Sequence, residues 1–274
     1  MLIIWLQGIW LPLHGYSYES TPLWAGIYML PITIGFLIAG PISGALSDRF
    51  GSRGFATVGL VLVAATFIGL LLIPVNFEYW QFALLTGLNG IGSGLFSSPN
   101  RTAIMNSVPP NERGAASGMA GVALNAGSSL SIGIFFSLMI AGLSVALPTA
   151  LTQGLTSHGV PQTVASQIGN TPPVGSLFAA FLGYNPIQSL LAPTGLLSSA
   201  KVDAATLTGK EFFPQLISGP FHDGLVIVFL AAAIMSIIGA IASFAGGAKY
   251  VHGEGTAAER STSDEGEDVG AARA

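Results

Sequence analysis

Three charged residues stand alone in a long apolar stretch. Between Glu19 and Glu78 the only Asp, Glu, Lys, Arg or His residues are Asp48, Arg49 and Arg53, all inside the run GALSDRFGSRG at positions 44–54. A carboxylate there can cap or face a helix N-terminus, where backbone N–H groups and the helix dipole favour an anion. Nothing in the run is a covalent catalyst, and the chain reads as no enzyme. It contains no Cys, which removes disulfides, thiol nucleophiles and thiolate metal sites. His14, His158, His222 and His252 are scattered without ligand spacing, so neither a metal nor a cofactor is expected.

The elements that must position these charges are membrane helices. Only 8% of the 274 residues are charged and 51% are hydrophobic, and the mean hydropathy is +0.66. A soluble domain carries roughly a quarter charged residues. The net charge of -4 says little about partners, because six of the thirteen acids fall in the last twenty-one residues. A helix crossing a bilayer needs about 20 mainly apolar residues. Charge-free runs at 23–45, 55–74, 80–99 and 224–247 qualify, and a fifth runs from Arg113 to about Leu147. The opening run MLIIWLQGIWLP offers about a dozen residues before Pro12, so the chain is expected to begin inside its first helix. Pro31 and Pro41 are expected kinks in the second helix.

The expected fold is therefore all-α: a polytopic six-helix bundle over residues 1–247, with a long extracytoplasmic loop at about 148–223 and a disordered, cytoplasmic, acidic tail at 248–274. Pro and Gly punctuate the loop, which is expected to fold as short amphipathic helices at the membrane face. Orientation follows from the basic residues. Arg49, Arg53, Arg101, Arg113, Lys249, Arg260 and Arg273 fall on one face of a six-helix layout, and Lys201 and Lys210 on the other. The first face is expected in the cytoplasm, placing the chain in the cell membrane with its carboxyl terminus inside.

In this setting Gly44-Ala45-Leu46-Ser47-Asp48-Arg49-Phe50-Gly51-Ser52-Arg53 resembles the loop signature of the major facilitator superfamily, G-x-L-[AS]-D-[RK]-x-G-[RK]-[RK]. Gly44 lets a neighbouring helix approach and Gly51 permits a reversal that a Cβ would hinder. Ser52 departs from the pattern, where a basic residue is common. The passages SSPNRTAIMNSVPPNERGAASGMAGVALNAGSSLSIGIFF and WLQGIWLPLHGYSYESTPLWAGIYMLP look like the carboxyl-terminal half of fourteen-span drug:proton antiporters of the EmrB/QacA type. The resemblance implies a proton-driven exporter of small amphipathic molecules. Its latch would be Gly44, Asp48, Arg49, Gly51 and Arg53, which hold and release the two halves during alternating access. The amino-terminal half would be absent from this chain. The competing class is a non-transporting half-length fragment or an accessory subunit that needs a partner bundle. No nucleic-acid role is indicated.

Other residues carry secondary readings. Ser117, Gly121, Asn125, Ser129 and Gly133 recur every four positions and form a small, polar ridge along one helix face. Such ridges usually mean close helix packing in lipid, and Asn125 is the member expected to face a polar cavity. Trp5, Gln7, Trp10 and Asn89 are further candidates for a substrate cavity, with Trp10 equally suited to interfacial anchoring. Arg101 and Arg113 set topology first and are candidates for a cytoplasmic gate. Proton coupling needs an ionisable group within the membrane. His222, Asp223 and Glu78 lie only at span ends, so the coupling carboxylate is expected in the absent half.

Overall fold

The computed structural model describes residues 1–182, 184–199 and 202–245; the side chains of Asp48 and Phe181 fall outside that description. The acidic tail, Lys201 and the three basic residues after position 245 therefore lie outside the described residues, as does the expected boundary at 247/248.

The described chain is helical. A short first helix, α1 (Leu2–Leu13), is followed by α2 (Thr21–Tyr28) and α3 (Leu30–Phe50). These two are nearly continuous and are separated only by a turn at Met29. Pro31 stands in the first turn of α3, where its missing N–H costs nothing, and Leu30 before it is already helical. The next elements are α4 (Ser52–Leu72), α5 (Tyr79–Asn106) and the 45-residue α6 (Arg113–Ser157). Four short helices follow: α7 (Gln162–Gly169), α8 (Pro173–Leu182), α9 (Ile187–Leu191) and α10 (Ala204–Leu207). The 34-residue α11 (Phe212–Ala245) closes the fold.

Four stretches are long and apolar enough to cross a membrane: Thr21–Ser47, Ser52–Leu72, Pro110–Ser157 and Phe212–Ala245. The expected span at 80–99 lies in α5. Its 28 residues reach about 42 Å at 1.5 Å per residue, but Gly, Asn, Ser and Pro dilute its apolar character.

Two expected boundaries move. The fifth span does not stop near Leu147, since α6 continues through Pro148 to Ser157. The last span does not start at Gly224, since α11 begins at Phe212 and runs through Pro220. Both helices pass through a proline, since a proline inside a membrane helix removes only one helical hydrogen bond and neighbouring groups can compensate. The segment between α6 and α11 does fold as short helices, and its apolar sides pack inward through Ala165, Leu177, Ala180, Ile187, Leu191 and Leu207.

Small residues set the register of the long helices. Gly94 sits against Ala39 and Gly40, and Gly44 against Ser98, so α3 and α5 run in the same direction. Gly59 faces Gly92, Gly69 faces Leu85, and the Asn89 amide donates to Thr66 Oγ1 at 2.8 Å, so α4 runs antiparallel to α5. Gly142 meets Gly224 and Gly154 meets Leu216, which makes α6 and α11 antiparallel. Thr57 bonds Ser243 at 3.3 Å and Gly239 meets Leu60, which makes α4 and α11 antiparallel. Consequently the ends of α3, α5 and α11 and the starts of α4 and α6 share one end of the molecule, and the short helices share the other.

The backbone of Ile32 lies so close to Gly90 that a Cβ there would collide with its carbonyl. Gly90→Ala is expected to destabilise the bundle by about 1–3 kcal/mol through overpacking. Gly121→Ala meets open space and is expected to be neutral or stabilising by up to about 1 kcal/mol, the helix-propensity gain. Thermal unfolding of the two variants in one detergent measures the contrast, and equal midpoints would contradict the close approach.

Candidate functional site

The charged run forms the tightest reversal between two long helices. Helix α3 ends at Phe50, Gly51 turns the chain, and α4 starts at Ser52. Gly51 adopts φ 91 and ψ 149, a region that costs other residues about 1–3 kcal/mol and is essentially open only to glycine. Gly44 occupies the side of α3 facing α5, where a Cβ would lie 2.7 Å from Ser98 Oγ. Asp48 belongs to the last turns of α3, and its side chain is among those outside the description.

The two arginines take different surroundings. Arg53 reaches across to the last turn of α11, with its guanidinium carbon over the Phe244 ring at 4.7 Å from the centroid. Arg49 lies over the ring of Phe50 at 6.0 Å. Both arginines are exposed, as are Arg101 near the end of α5 and Arg113 at the start of α6. All four stand at the same end of the molecule. The expected latch and gate residues thus lie towards the same end of the molecule, although Arg49 and Arg101 are 52 positions apart in sequence.

The cavity candidates are not gathered. Trp5 is 0% exposed and Trp10 5%; their indole N–H groups donate to the carbonyls of Val75 at 3.3 Å and Phe77 at 2.9 Å. Trp5 packs edge-on against Phe77 and Trp10 stacks on it at 5.3 Å. Both belong to the main core, at the end opposite the arginines. Gln7 is half-buried on the same helix. Asn89 is buried between α4 and α5, with Thr66 as its partner.

Asn125 is exposed on α6, as are Ser129 and Gly133, whereas Ser117 and Gly121 are half-buried. The first half of α6 has little around it. Added Cβ atoms at Gly114, Gly118, Gly121, Gly127 and Gly133 would meet nothing within 4 Å, and Met119, Val122, Leu124, Leu130, Ile132 and Ile134 are all exposed. From Met139 onward the same helix is buried against α11. Among the described residues, this long helix therefore packs at one end of the molecule and has little around it at the other. The four-residue periodicity identified this ridge, but periodicity alone does not distinguish a packed face from an open one.

The expected coupling candidates fall away from the arginines. Glu78 and Asp223 are exposed, and His222 Nδ1 is buried without a hydrogen-bond partner among the described residues. Among those residues no group of three His, Cys, Asp or Glu could hold a metal ion.

Residues 1–132 match the model of the Major Facilitator Superfamily. The chain is similar to the methyl viologen resistance protein SmvA of Salmonella typhimurium, 31% identical over 165 residues, which make up 58% of this chain and 32% of the relative. It is 26% identical over 169 residues to the tetracenomycin C resistance and export protein of Streptomyces glaucescens, covering 60% of this chain and 31% of the relative. The riboflavin transporter RibZ of Clostridioides difficile is 25% identical over 146 residues, covering 53% of this chain and 31% of the relative. The chain thus spans about a third of the length of these curated relatives. No solved structure matches. The similarity to the Major Facilitator Superfamily thus covers residues 1–132, and these relatives are named for resistance, export and transport.

Proposed function

We propose that the chain is the carboxyl-terminal helical bundle of a proton-driven small-molecule exporter of the fourteen-span EmrB/QacA type, working by alternating access in the cell membrane. The observation that carries this reading is the charged reversal at Gly44–Arg53. It joins two long membrane helices inside the superfamily-matching segment and lies at the same end as Arg101 and Arg113. In a transporter that rocks about a central site, this end faces the other bundle and the cytoplasm. The latch is Gly44, Asp48, Arg49, Gly51 and Arg53, with Arg101 and Arg113 as gate residues beside it.

The exposed half of α6 supports the need for a second bundle, supplied by the same polypeptide or by another chain. A ridge of Ser117, Gly121, Asn125, Ser129 and Gly133 suits close approach of a partner helix or a water-filled cleft better than hydrocarbon. Asn125 is the favoured contact for a substrate. Trp5, Trp10 and Asn89 act behind it by fixing the shape of the core, and Gln7 lies with the tryptophans. Small amphipathic molecules and protons are the proposed cargo, because the relatives are resistance and export proteins. The coupling carboxylate belongs to the partner bundle. The chain alone is therefore expected not to transport.

Three measurements check these statements. Single Cys probes at Ser52 and Ser199 should label from opposite sides of the membrane, Ser52 from the cytoplasm; labelling from the same side would overturn the proposed layout. In a complete transporter containing this bundle, Asp48→Asn should lower efflux at least tenfold while membrane abundance changes little. Wild-type efflux would reduce the stretch to a turn. The purified chain in proteoliposomes with an imposed pH gradient should fail to move a fluorescent cationic dye. Gradient-dependent movement by the chain alone would refute its dependence on a second bundle.

A further inference from the structure

We propose that α8 is an interfacial anchor, whose Val174, Phe178 and Leu182 side chains insert among lipid acyl chains in the leaflet at the end of the molecule opposite the arginines. The three residues recur every four positions and share one face of the helix. All are open, Val174 at 39% exposure, Phe178 at 51% and Leu182 at 61%. The other face is used inside the protein. Ser176, Leu177, Ala179 and Ala180 are buried, and α8 packs against both α1 and α6. Contact on that side turns the open stripe away from the bundle.

One close contact sets the height of α8. A Cβ on Gly8 would lie 2.6 Å from the Ala180 carbonyl, so the two backbones touch. Two residues from Gly8, Trp10 packs with Tyr28, Phe77 and Tyr79, and Tyr28 in turn with Trp24. Trp and Tyr collect where hydrocarbon meets the headgroups, because each has an apolar body and a polar tip. Helix α8 therefore lies at the level of an aromatic belt and not beyond it in water. Its exit is fixed as well. The Asn185 amide donates to the carbonyls of Leu207 at 2.8 Å and Gly209 at 2.9 Å, and its Oδ1 accepts from the Ile187 N–H at 3.0 Å. Those bonds tie the end of α8 to the segment that leads into α11.

Composition selects lipid as the occupant. Residues 114–200 contain no Asp, Glu, Lys or Arg, whereas a water-facing segment as long as 159–200 would carry about ten such residues. A helix lying in the boundary buries one face roughly 5–10 Å into the headgroup and acyl region. The stripe of Val174, Phe178 and Leu182 offers such a face and has no polar side-chain atom with which to recognise a protein. In this it differs from the Ser117–Gly133 ridge, which carries hydroxyls and an amide. The anchor rests on the membrane reading of the long helices and not on export.

The test uses the full chain in phosphatidylcholine nanodiscs. Because the sequence has no Cys, Val174→Cys, Phe178→Cys and Leu182→Cys each take a nitroxide label at one place. Collisions of the label with oxygen, which dissolves in hydrocarbon, are compared with collisions with a water-soluble nickel chelate. Val61→Cys, on an exposed position within α4, supplies the lipid reference, and Lys210→Cys, on an exposed charged position, the water reference. The three stripe labels are expected to favour oxygen as Val61→Cys does, at a depth of roughly 5–10 Å below the phosphates. Nickel access equal to that of Lys210→Cys puts α8 in water and overturns the anchor. Protection from both reagents means that protein covers the stripe, a second copy included, and overturns it as well. Adding Phe178→Asp should raise nickel access at Val174→Cys and Leu182→Cys several-fold, because a charge is costly in hydrocarbon, while Val61→Cys keeps its value and so reports an intact bundle. Adding Phe178→Leu should change none of the three. Unaltered nickel access with Phe178→Asp refutes insertion.

Discussion

The close approach of backbones at glycine is the constraint on which the described bundle depends. Inside a bilayer, helices gain little by hiding apolar side chains from one another, because lipid is just as apolar, so association relies on packing and on the few available polar contacts. Here the carbonyls of Ile32 and Gly92 occupy the space that side chains at Gly90 and Gly59 would fill, and Gly142 meets Gly224 backbone to backbone. One polar pair, Asn89 to Thr66, is set among these contacts. It pairs α4 with α5 at the level where their glycines meet, so the hydrogen bond specifies the register that the small residues permit.

Larger side chains are concentrated at the end away from the arginines. The main core joins α1 to residues around Leu70 and Phe82, to the second half of α6, to the short helices and to the first half of α11. Aromatic contacts run through it: Trp5 against Phe77, Phe82 and Phe229, and Trp10 against Phe77 and Tyr28. The short helices add to this core, as shown by Ala180, whose carbonyl would lie 2.6 Å from a Cβ on Gly8. At the arginine end the buried side chains are small, Ala39, Ala56 and Ala240 among them, and the first half of α6 is mostly exposed among the described residues. The molecule is closed by bulky packing at one end and joined by thin contacts at the other.

Much of this organisation could be read from residue types. Charge-free runs located the long helices, and GALSDRFGSRG marked the reversal because a cluster of charge must reach water. Gly51 and Gly44 take the geometry that their lack of a Cβ allows. Helix ends were less legible, since Pro148 and Pro220 lie inside helices that continue past them. Local chemistry identifies a lost hydrogen bond but not the neighbours that make its loss tolerable. The tryptophans show the same limit. Trp5 and Trp10 are amphipathic side chains compatible with a wall, an anchor or a core, and only the fold places the carbonyls of Val75 and Phe77 against their indole N–H groups.

The two asparagines show how residue type and place divide the work. Asn89 and Asn125 carry the same amide, and both fall within helices rich in glycine. Asn89 is buried and spends a donor on Thr66, which makes it part of the packing. Asn125 is exposed on a helix with open space around its glycines. An amide facing hydrocarbon leaves its donors and acceptor unsatisfied, at a cost of several kcal/mol on alkane-based scales. That penalty disappears if the face is turned to water, to a ligand or to another helix. The same reasoning applies to Ser129 and to the backbone laid bare by Gly121 and Gly133, so the ridge as a whole favours a covered or hydrated environment. The Ser117–Gly133 ridge is therefore the side of α6 whose chemistry is least compatible with lipid, and it lies on a helix that begins at the same end of the molecule as the charged reversal.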